Sequence, residues 1–487
     1  MLGGLGRESL FGSPVWEKED EGNMQAGAKS SIGYVILIAS VAAIGGFLFG
    51  FDSGVINGTV SALQGAFGSS SVGTGFSVAS MLLGSAVGAF VAGPLADRYG
   101  RKVMLFATAV GFIVSSLGSG YATSSLVFVL FRLIGGGAIG SASVLAPAYI
   151  SEVAPAHVRG RLASLQQLAI VTGILLAFLS NYAIAQGAGS ADSHFWLGQQ
   201  AFRWMFWMGV LPAVALLLGV LAIPESPRYL VAKGKLAEAE AVFARIGGGV
   251  PSELVASVKA SLDSDHAPSF RDLIDPATKR WFPLVWVGIG LSVLQQFVGI
   301  NVVFYYGEVL WRSAGFSESE ALLVNLVSGT VNLLSTFVAM ALIDRLGRKP
   351  LLIAGSLGMT VTLGGLAICF AQGVLDAQGS LVLPSGVGLV ALVLANLYVF
   401  SFGVSWGPVV WVLLGEMFPN QYRGAALSVG ASAQWVANFV VTMTFPIFLG
   451  SLGLAASYAI YALFAGLSIV FVLRSIRETK GQTLEQM

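Results

Sequence analysis

One acidic residue lies in the middle of the first long apolar stretch of the chain. Between Ile32 and Leu63 the only charged side chain is Asp52, and glycines surround it in the segment GGFLFGFDSGVING at 45–58. An ionised side chain at the centre of a bilayer costs about 2.5–3.5 kcal/mol on insertion scales. Such a group is kept where it faces a cavity, pairs with a cation or carries a proton. Asp52 is therefore the first candidate for chemistry in this sequence.

The matching cation is Arg132, the only basic residue inside an apolar stretch. Two opposite charges in an apolar medium stabilise each other, so we expect Asp52 and Arg132 to pair. An acid whose cationic neighbour can move away is able to take up and release a proton as the protein changes shape. The same pair can also be a static salt bridge that shapes a helix bundle. The residues alone leave both interpretations open.

Amides and aromatic rings form a second set of candidate residues, in the second half of the chain. An amide both donates and accepts hydrogen bonds, as a ligand hydroxyl does, and an aromatic face can pack on the C–H face of a ligand ring. Buried amides can instead join helices, and tryptophans can anchor a helix at the membrane surface. The candidates are Gln295, Gln296, Asn301, Tyr305, Trp411, Gln434, Trp435 and Asn438.

The first half offers a smaller set of the same kind. Gln166 and Gln167 are adjacent, so their side chains point about 100° apart on a helix and only one is expected to face a cavity. Phe49 precedes Asp52 by one helical turn. It is expected either to line the cavity wall or to pack between helices.

The composition places these residues in a membrane protein. Of 487 residues, 55% are hydrophobic and only 10% are charged, and the mean hydropathy is +0.79. A soluble domain carries about 25% charged residues. Twelve apolar stretches are long enough to span a bilayer as helices. They lie near 32–60, 76–96, 103–121, 124–149, 162–186, 203–223, 282–311, 319–343, 350–373, 385–415, 425–449 and 453–473.

Several classes of function are excluded by what the sequence lacks. The single cysteine, Cys369, excludes disulfides, and the three histidines have no metal-ligand spacing, so no metal or other cofactor is expected. The net charge of +1 argues against a nucleic-acid partner. The chain has no GxxxxGK[ST] motif for an ATP-driven pump and no nucleophile–base set for an enzyme.

The twelve stretches divide into two bundles of six. We expect a disordered tail over 1–30 (with Met24 as an alternative start), a first bundle over 31–223 and a linker over 224–280. A second bundle over 281–476 and a short tail over 477–487 complete the chain. Helical periodicity at 234–246 and 252–262 predicts short amphipathic helices in the linker. The fold class is therefore an all-α membrane protein.

Basic residues predict the orientation. If both termini are cytosolic, 23 of the 26 Lys and Arg residues face the cytosol, as the positive-inside rule requires.

Three motifs at the expected cytosolic face occur once in each half, which indicates two pseudo-symmetric bundles. GPLADRYGRK at 93–102 matches MALIDRLGRK at 340–349, and two shorter pairs begin at Glu152 and Glu416 and at Glu225 and Glu478. Ion pairs among their charges are expected to latch the halves together in the outward-facing state and to break when the inner side opens. Part of this charge also simply sets the topology. The residues are Asp97, Arg98, Arg101, Glu152, Arg159, Glu225, Arg228, Asp344, Arg345, Arg348, Glu416, Arg423 and Glu478.

Across nearly its whole length the chain resembles the sugar porter family of the major facilitator superfamily, and within it bacterial glucose and galactose transporters. The resemblance rests on DRYGRK and DRLGRK, PESPRYL at 224–230, QQFVGINVVFYY at 295–306, GPVVWVLLGEMFPNQYRG at 407–424 and the ending ETKGQTLEQM. Met340 and Arg477 depart from the family motifs at positions away from the expected sugar site.

The resemblance implies alternating access, in which two bundles rock about a central monosaccharide site. It favours Gln167 over Gln166 as a sugar ligand. In the family, an acid at the position of Asp52 accompanies proton symport, whereas Gly209 stands where some related symporters have a second acid. We therefore expect a monomeric, proton-coupled hexose transporter of the plasma membrane. The alternatives are a passive uniporter with a structural Asp52–Arg132 pair and, in another class, a non-transporting sugar receptor.

Overall fold

A computed structural model describes residues 15–154, 159–247, 249–264, 270–375, 381–384, 386–419 and 422–480. Within these residues, twelve helices or helix pairs are long and apolar enough to cross a membrane, as the sequence predicted. The first such span covers Ile32–Asn57 and the last Gly453–Ser475.

The first half contains the first six spans, and its last span is built from two helix segments. Its helices are α1 (Val15–Asn57), α2 (Val60–Phe67), α3 (Ser71–Tyr99), α4 (Arg101–Tyr121), α5 (Ser125–Val153), α6 (Arg159–Ala188), α7 (Ala201–Trp207) and α8 (Val210–Ala222), with a 3-10 turn at Trp196–Gly198. Helix α1 already begins at Val15, which differs from the unstructured tail expected over 1–30. Good helix formers such as Glu17, Lys18 and Glu19 explain the extension. Residues 1–14 lie outside the described residues.

The linker forms the short helices expected of it. They are α9 (Pro227–Ala232), α10 (Leu236–Ile246) and α11 (Pro251–Ser264), followed by a 3-10 turn at Phe270–Leu273. The linker is attached to the first half, because the Tyr229 hydroxyl donates to the carbonyl of Arg98 at 3.2 Å. The Arg245 guanidinium also lies over the Tyr34 ring, 4.6 Å from its centroid. We call the end of the bundle that carries α9–α11 the linker side, and the other end the opposite side.

The second half repeats the design of the first. Its elements are α12 (Pro283–Phe297), α13 (Ile300–Ser313), α14 (Glu318–Leu346), α15 (Arg348–Ala371), β1 (Val374–Leu375), β2 (Leu381–Val382), α16 (Val387–Val404), α17 (Trp406–Glu416), α18 (Arg423–Ser451) and α19 (Gly453–Ser475). Strands β1 and β2 pair antiparallel on the opposite side, with Val374 facing Val382.

Glycines allow the helices to pack closely. A Cβ at Gly50 would collide with the carbonyl of Ile170 in α6, and one at Gly88 would collide with Gly137 in α5. Small residues at helix interfaces are the usual route to close packing in membranes. Gly46, Gly50 and Gly54 therefore serve the approach of α1 to α6, and α1 stays helical through them.

Two spans of the second half are interrupted near their centres. Gly299 adopts a φ of +84° between α12 and α13, and Ser405 leaves helical geometry between α16 and α17. Tyr398 of α16 donates its hydroxyl to the carbonyl of Val298 at 2.7 Å, beside the first break. A broken helix frees backbone groups at membrane depth, which is tolerated where the break is buried in protein or lines a cavity.

Candidate functional site

Asp52 and Arg132 form the ion pair that the sequence predicted. Their side chains meet between α1 and α5, with Arg132 Nη1 2.5 Å from Asp52 Oδ1, and both residues are buried. Arg132 Nη2 donates to the sulfur of Met81 at 3.0 Å. Among the described residues, Asp52 Oδ2 is buried without a hydrogen-bond partner.

The surroundings of Arg132 are aromatic and apolar. Its guanidinium carbon lies 6.0 Å from the ring centroid of Phe128 and 5.9 Å from that of Phe206. In the same bundle, a Cβ at Gly209 would lie 2.9 Å from Ser116 Oγ, so a side chain at this position would require the Ser116 hydroxyl to move. Asp52 is thus the acid that balances Arg132 in the first half.

The three amides of α12 and α13 form a continuous hydrogen-bonded chain. Asn301 Nδ2 donates to Gln296 Oε1 at 2.5 Å, and Gln296 Nε2 donates to Gln295 Oε1 at 3.2 Å. Gln295 Nε2 then donates to the carbonyl of Trp406 at 2.8 Å, at the start of α17. Asn301 is the least buried of the three amides. The chain thus joins the two broken spans and leaves Asn301 at its accessible end.

Tyr305 and Asn438 lie beside this chain and connect to the ion pair. Asn438 Nδ2 donates to the Tyr305 hydroxyl at 3.4 Å, and Thr442 Oγ1 donates to Asn438 Oδ1 at 3.1 Å. The Tyr305 hydroxyl also interacts with Ser53, the neighbour of Asp52 in α1. Polar groups of the second half therefore reach the first half next to the proposed proton site.

An aromatic contact closes one wall of this region. The rings of Phe49 and Trp435 meet edge to face, with centroids 5.5 Å apart. Phe49 belongs to α1 and Trp435 to α18, so the contact joins the two halves.

The remaining candidates are placed less tightly. Gln166 lies against Gly46 of α1, while its neighbour Gln167 is half-buried. Gln434 Oε1 is buried and lacks a hydrogen-bond partner among the described residues. The structure places these groups around the centre and leaves their role as sugar ligands a prediction.

Helix α17 contains two tryptophans, Trp406 and Trp411, and the sequence analysis singled out only Trp411. Trp411 is 42% exposed, so it is not enclosed in a pocket in this conformation. Trp406 is fully buried and donates Nε1 to Ser356 Oγ at 2.9 Å and to the carbonyl of Leu352 at 3.1 Å. Its place follows from the break at Ser405, which the sequence pattern did not reveal.

On the linker side the charged residues form one cluster in each half. Arg101 pairs with Asp97 at 2.8 Å and with Glu152 at 3.1 Å. Arg348 repeats this arrangement with Asp344 at 3.1 Å and Glu416 at 2.7 Å.

Glu225 and Glu478 complete the two clusters. Glu225 accepts the backbone N–H of Arg101 at 2.9 Å, and Glu478 accepts that of Arg348 at 3.0 Å. Burial acts to raise the pKa of Glu478. Hydrogen bonds from the backbone N–H groups of Lys480, Arg348, Lys349 and Thr479 outweigh burial and hold that pKa below its usual value.

None of the ion pairs described above forms the predicted latch between the halves. Among the described side chains, the ion pairs above each stay within one half. Arg423 donates Nε to the carbonyl of Phe418, also in its own half, and the side chain of Arg159 lies outside the description. A latch that crosses between the halves therefore remains a prediction for the outward-facing state.

The halves meet by polar contacts on the opposite side instead. The backbone N–H of Ala191 donates to Glu318 at 2.7 Å, and Gln186 bonds to Ser319. Ser61 Oγ donates to Glu308 at 2.7 Å. Glu308 is a buried acid that the sequence analysis missed. The signal was present as a charge near the end of the apolar stretch 282–311.

The two helical halves have matching designs. Polar contacts join them on the opposite side, whereas on the linker side each half keeps its own charge cluster. This arrangement defines a transporter that opens alternately to the two sides of a membrane. The chain belongs to the family described as "Sugar (and other) transporter", whose model matches residues 38–487. It is thus a member of a transporter family and not an enzyme.

Named relatives agree with this assignment. The chain is 54% identical over 462 residues to the glucose transport protein of Synechocystis sp., covering 94% of this chain and 98% of the relative. A partially occluded, inward-open structure of the xylose transporter XylE from E. coli has a TM-score of 0.79 at 36% identity, covering 93% of this chain and all of that one. The proton:xylose symporter XylE bound to 6-bromo-6-deoxy-D-glucose gives a TM-score of 0.75 at 37% identity, over 94% and 98% of the two chains.

Proposed function

We propose that this protein carries a hexose into the cell together with one proton. The observation that carries the coupling is the buried Asp52–Arg132 pair, in which Asp52 Oδ2 has no hydrogen-bond partner among the described residues. A carboxylate held by a guanidinium is ionised. When the helices shift and the pair separates, the same group is left in an apolar site and takes up a proton.

The hexose assignment is supported by the central polar groups. The chain of Asn301, Gln296 and Gln295 offers both donors and acceptors, and the Phe49–Trp435 contact supplies aromatic surface beside it. Sugar hydroxyls and C–H faces require this combination. The highly similar Synechocystis protein is a glucose transporter by name, which favours glucose as the first sugar to test.

The proposed orientation places the linker side in the cytosol. By sequence, 23 of the 26 basic residues fall in the segments assigned to that side, and positive charge accumulates on the cytosolic face of membrane proteins. Both termini are then cytosolic and the opposite side faces the exterior. The protein acts as a monomer in the plasma membrane.

The test is glucose uptake into proteoliposomes with an imposed pH gradient. With an alkaline interior, the unmodified protein should accumulate glucose above the external concentration. Asp52→Asn keeps the size of the side chain and removes its charge, so it should only equilibrate or exchange glucose. Asp275→Asn, which alters a carboxylate in the linker, serves as the matched control and should accumulate glucose normally.

The alternative is a uniporter in which Asp52 and Arg132 form a structural pair. In that case the unmodified protein never exceeds equilibrium and ignores the gradient. Glucose that binds without crossing the membrane would instead indicate a receptor.

A further inference from the structure

Glu308 is a buried carboxylate at the contact between the two halves. It lies in α13, is only 2% exposed and accepts a hydrogen bond from Ser61 of α2. Its other oxygen, Oε1, pairs with Arg312 Nη1 at 3.1 Å, one turn further along the same helix. Ser61 belongs to the first half and Arg312 to the second. The carboxylate therefore ties the first half to a charged pair of the second.

Asn57, at the end of α1, fixes the backbone beside this carboxylate. Its Nδ2 donates to the carbonyls of Phe304 at 3.0 Å and Val303 at 3.2 Å. Its Oδ1 accepts the backbone N–H of Glu308 at 3.0 Å and the side-chain N–H of Asn325 at 2.7 Å. One amide from the first half thus satisfies four groups of the second, and holds Glu308 against Ser61.

Gly307 makes this close approach possible. A Cβ at this position would collide with the side chains of Asn325 and Asn57. A larger residue before Glu308 would push the Asn57 side chain of the first half away from the second half. Glycine at this position therefore lets the two halves close in the observed way.

Separation of the halves would remove hydrogen-bond donors from the surroundings of Glu308. Ser61 and Asn57 would leave with the first half, whereas Arg312 would move with Glu308. Arg312 is 45% exposed and lines a cavity of about 720 Å³ that opens on the same side. The carboxylate therefore has its full set of donors only while this side is closed, and hydrogen bonds to charged groups are stronger than neutral ones.

We propose that Glu308 is a positioning residue of the transport cycle that holds the opposite side closed and so sets the ratio of the two conformations. The other acid of this contact, Glu318, bonds to a backbone N–H nearer the surface. The inference rests on alternating access. It depends neither on which sugar is carried nor on coupling to protons. A test that measures the distance between the halves therefore fails or succeeds independently of the proposed function.

The experiment measures that distance in the full-length protein in lipid. Spin labels on Leu126→Cys and Val374→Cys, both exposed on the opposite side, report its opening in a Cys369→Ala background. Glu308→Gln keeps the shape of the side chain and removes its charge. We expect a population at longer distance, with the open-to-closed ratio raised about 3–10-fold, because the hydrogen bond from Ser61 to a charged carboxylate becomes a weaker one to a neutral amide.

Glu320→Gln is the matched control. Glu320 is an exposed acid on the same side, and among the described residues its hydrogen bonds are to Ser317, within its own half. Its distance distribution should match that of the parent. If Glu308→Gln also matches the parent, or if both variants lengthen the distance equally, the proposal is overturned.

Two further variants keep the test decisive if Glu308→Gln does not fold. Gly307→Ala should open the same side as a wedge, and Ser61→Ala should open it because it removes the side-chain hydrogen bond that crosses to Glu308. An unchanged distance in both variants overturns the proposal. A second readout is the apparent KM for external sugar, which should fall in the variants that open, because a larger fraction of molecules is competent to bind.

Discussion

Glu225 and Glu478 occupy equivalent positions in the two halves of the transporter. Each accepts the backbone N–H groups of the first two residues of a helix, Arg101 and Lys102 in one half and Arg348 and Lys349 in the other. Each helix follows a glycine with a positive φ, +99° at Gly100 and +96° at Gly347. An acid at a helix N-terminus satisfies free N–H groups and complements the helix dipole.

This arrangement predicts an acid-dependent contribution to stability. Because the pKa of Glu478 lies below its usual value of 4.5, its contribution is complete above about pH 4.5 and is lost as the pH falls through the lowered pKa. Glu478→Ala should lower the free energy of unfolding by about 1 kcal/mol, the typical value of a lost cap. Thermal unfolding in detergent, from about pH 3 to about pH 7, measures this contribution across the titration of a glutamate carboxyl group. The variant should lose less stability on acidification than the parent, and parallel pH curves would contradict the prediction.

The buried ion pair predicts strong coupling between its two residues. Arg132→Met leaves Asp52 in an apolar site without its cation, and removal of one partner of a buried pair costs about 3–5 kcal/mol. Asp52→Asn in the same chain removes the uncompensated charge. We therefore expect the double variant to be more stable than Arg132→Met alone, as measured by thermal unfolding. Additive losses would show that the two side chains act independently.

The amide chain predicts different roles for its two ends. Asn301→Ala removes the accessible end, so it should raise the Kd for glucose about 3–10-fold, the value of one neutral hydrogen bond, and lower the free energy of unfolding by only about 1 kcal/mol, because Gln296 Oε1 loses one donor. Gln295→Ala leaves the carbonyl of Trp406 without its side-chain donor, so it should lower the free energy of unfolding by about 1–3 kcal/mol. Glucose binding and thermal unfolding of both variants separate the two effects. Loss of stability without loss of binding in Asn301→Ala would assign all three amides to helix packing.

Hydropathy predicted the twelve spans because each needs only its own run of apolar residues. The pairing of Asp52 with Arg132 was also predictable, since two opposite charges at membrane depth have few other partners. Local patterns could not show which side of the molecule is closed. That depends on contacts such as Ser61 with Glu308, between residues far apart in the chain.

The same limit explains why the sequence analysis did not single out Glu308 and Trp406. Glu308 lies near the end of an apolar run, where a charged residue is expected to be exposed in a loop. In the structure Asn57 and Ser61 contact it and cover it. Trp406 and Trp411 are alike in sequence context, and the break at Ser405 decides which of them is enclosed. The charges of the linker side were identified, but their partners depend on the conformation of the whole molecule.

The break between α12 and α13 predicts a positioning role for Tyr398. Its hydroxyl donates to the carbonyl of Val298, which precedes Gly299 at the break, so Tyr398→Phe leaves a buried carbonyl without this donor. We expect the free energy of unfolding to fall by about 1–3 kcal/mol. The Kd for glucose should rise as well, because Gln296 and Asn301 flank the same break. Equilibrium binding and thermal unfolding measure the two effects on one preparation.

Tyr461→Phe provides the control for this prediction. The Tyr461 ring packs against Gly299, but among the described residues its hydroxyl is buried without a hydrogen-bond partner. Loss of that hydroxyl should leave both stability and glucose binding nearly unchanged. Gly299→Ala should be more damaging than either variant, because it combines a φ of +84° with a collision between the new Cβ and the Tyr461 ring. If Tyr398→Phe and Tyr461→Phe behave alike, the hydrogen bond to Val298 does not position the amides, and the shape of the break is set by Gly299 and ring packing alone.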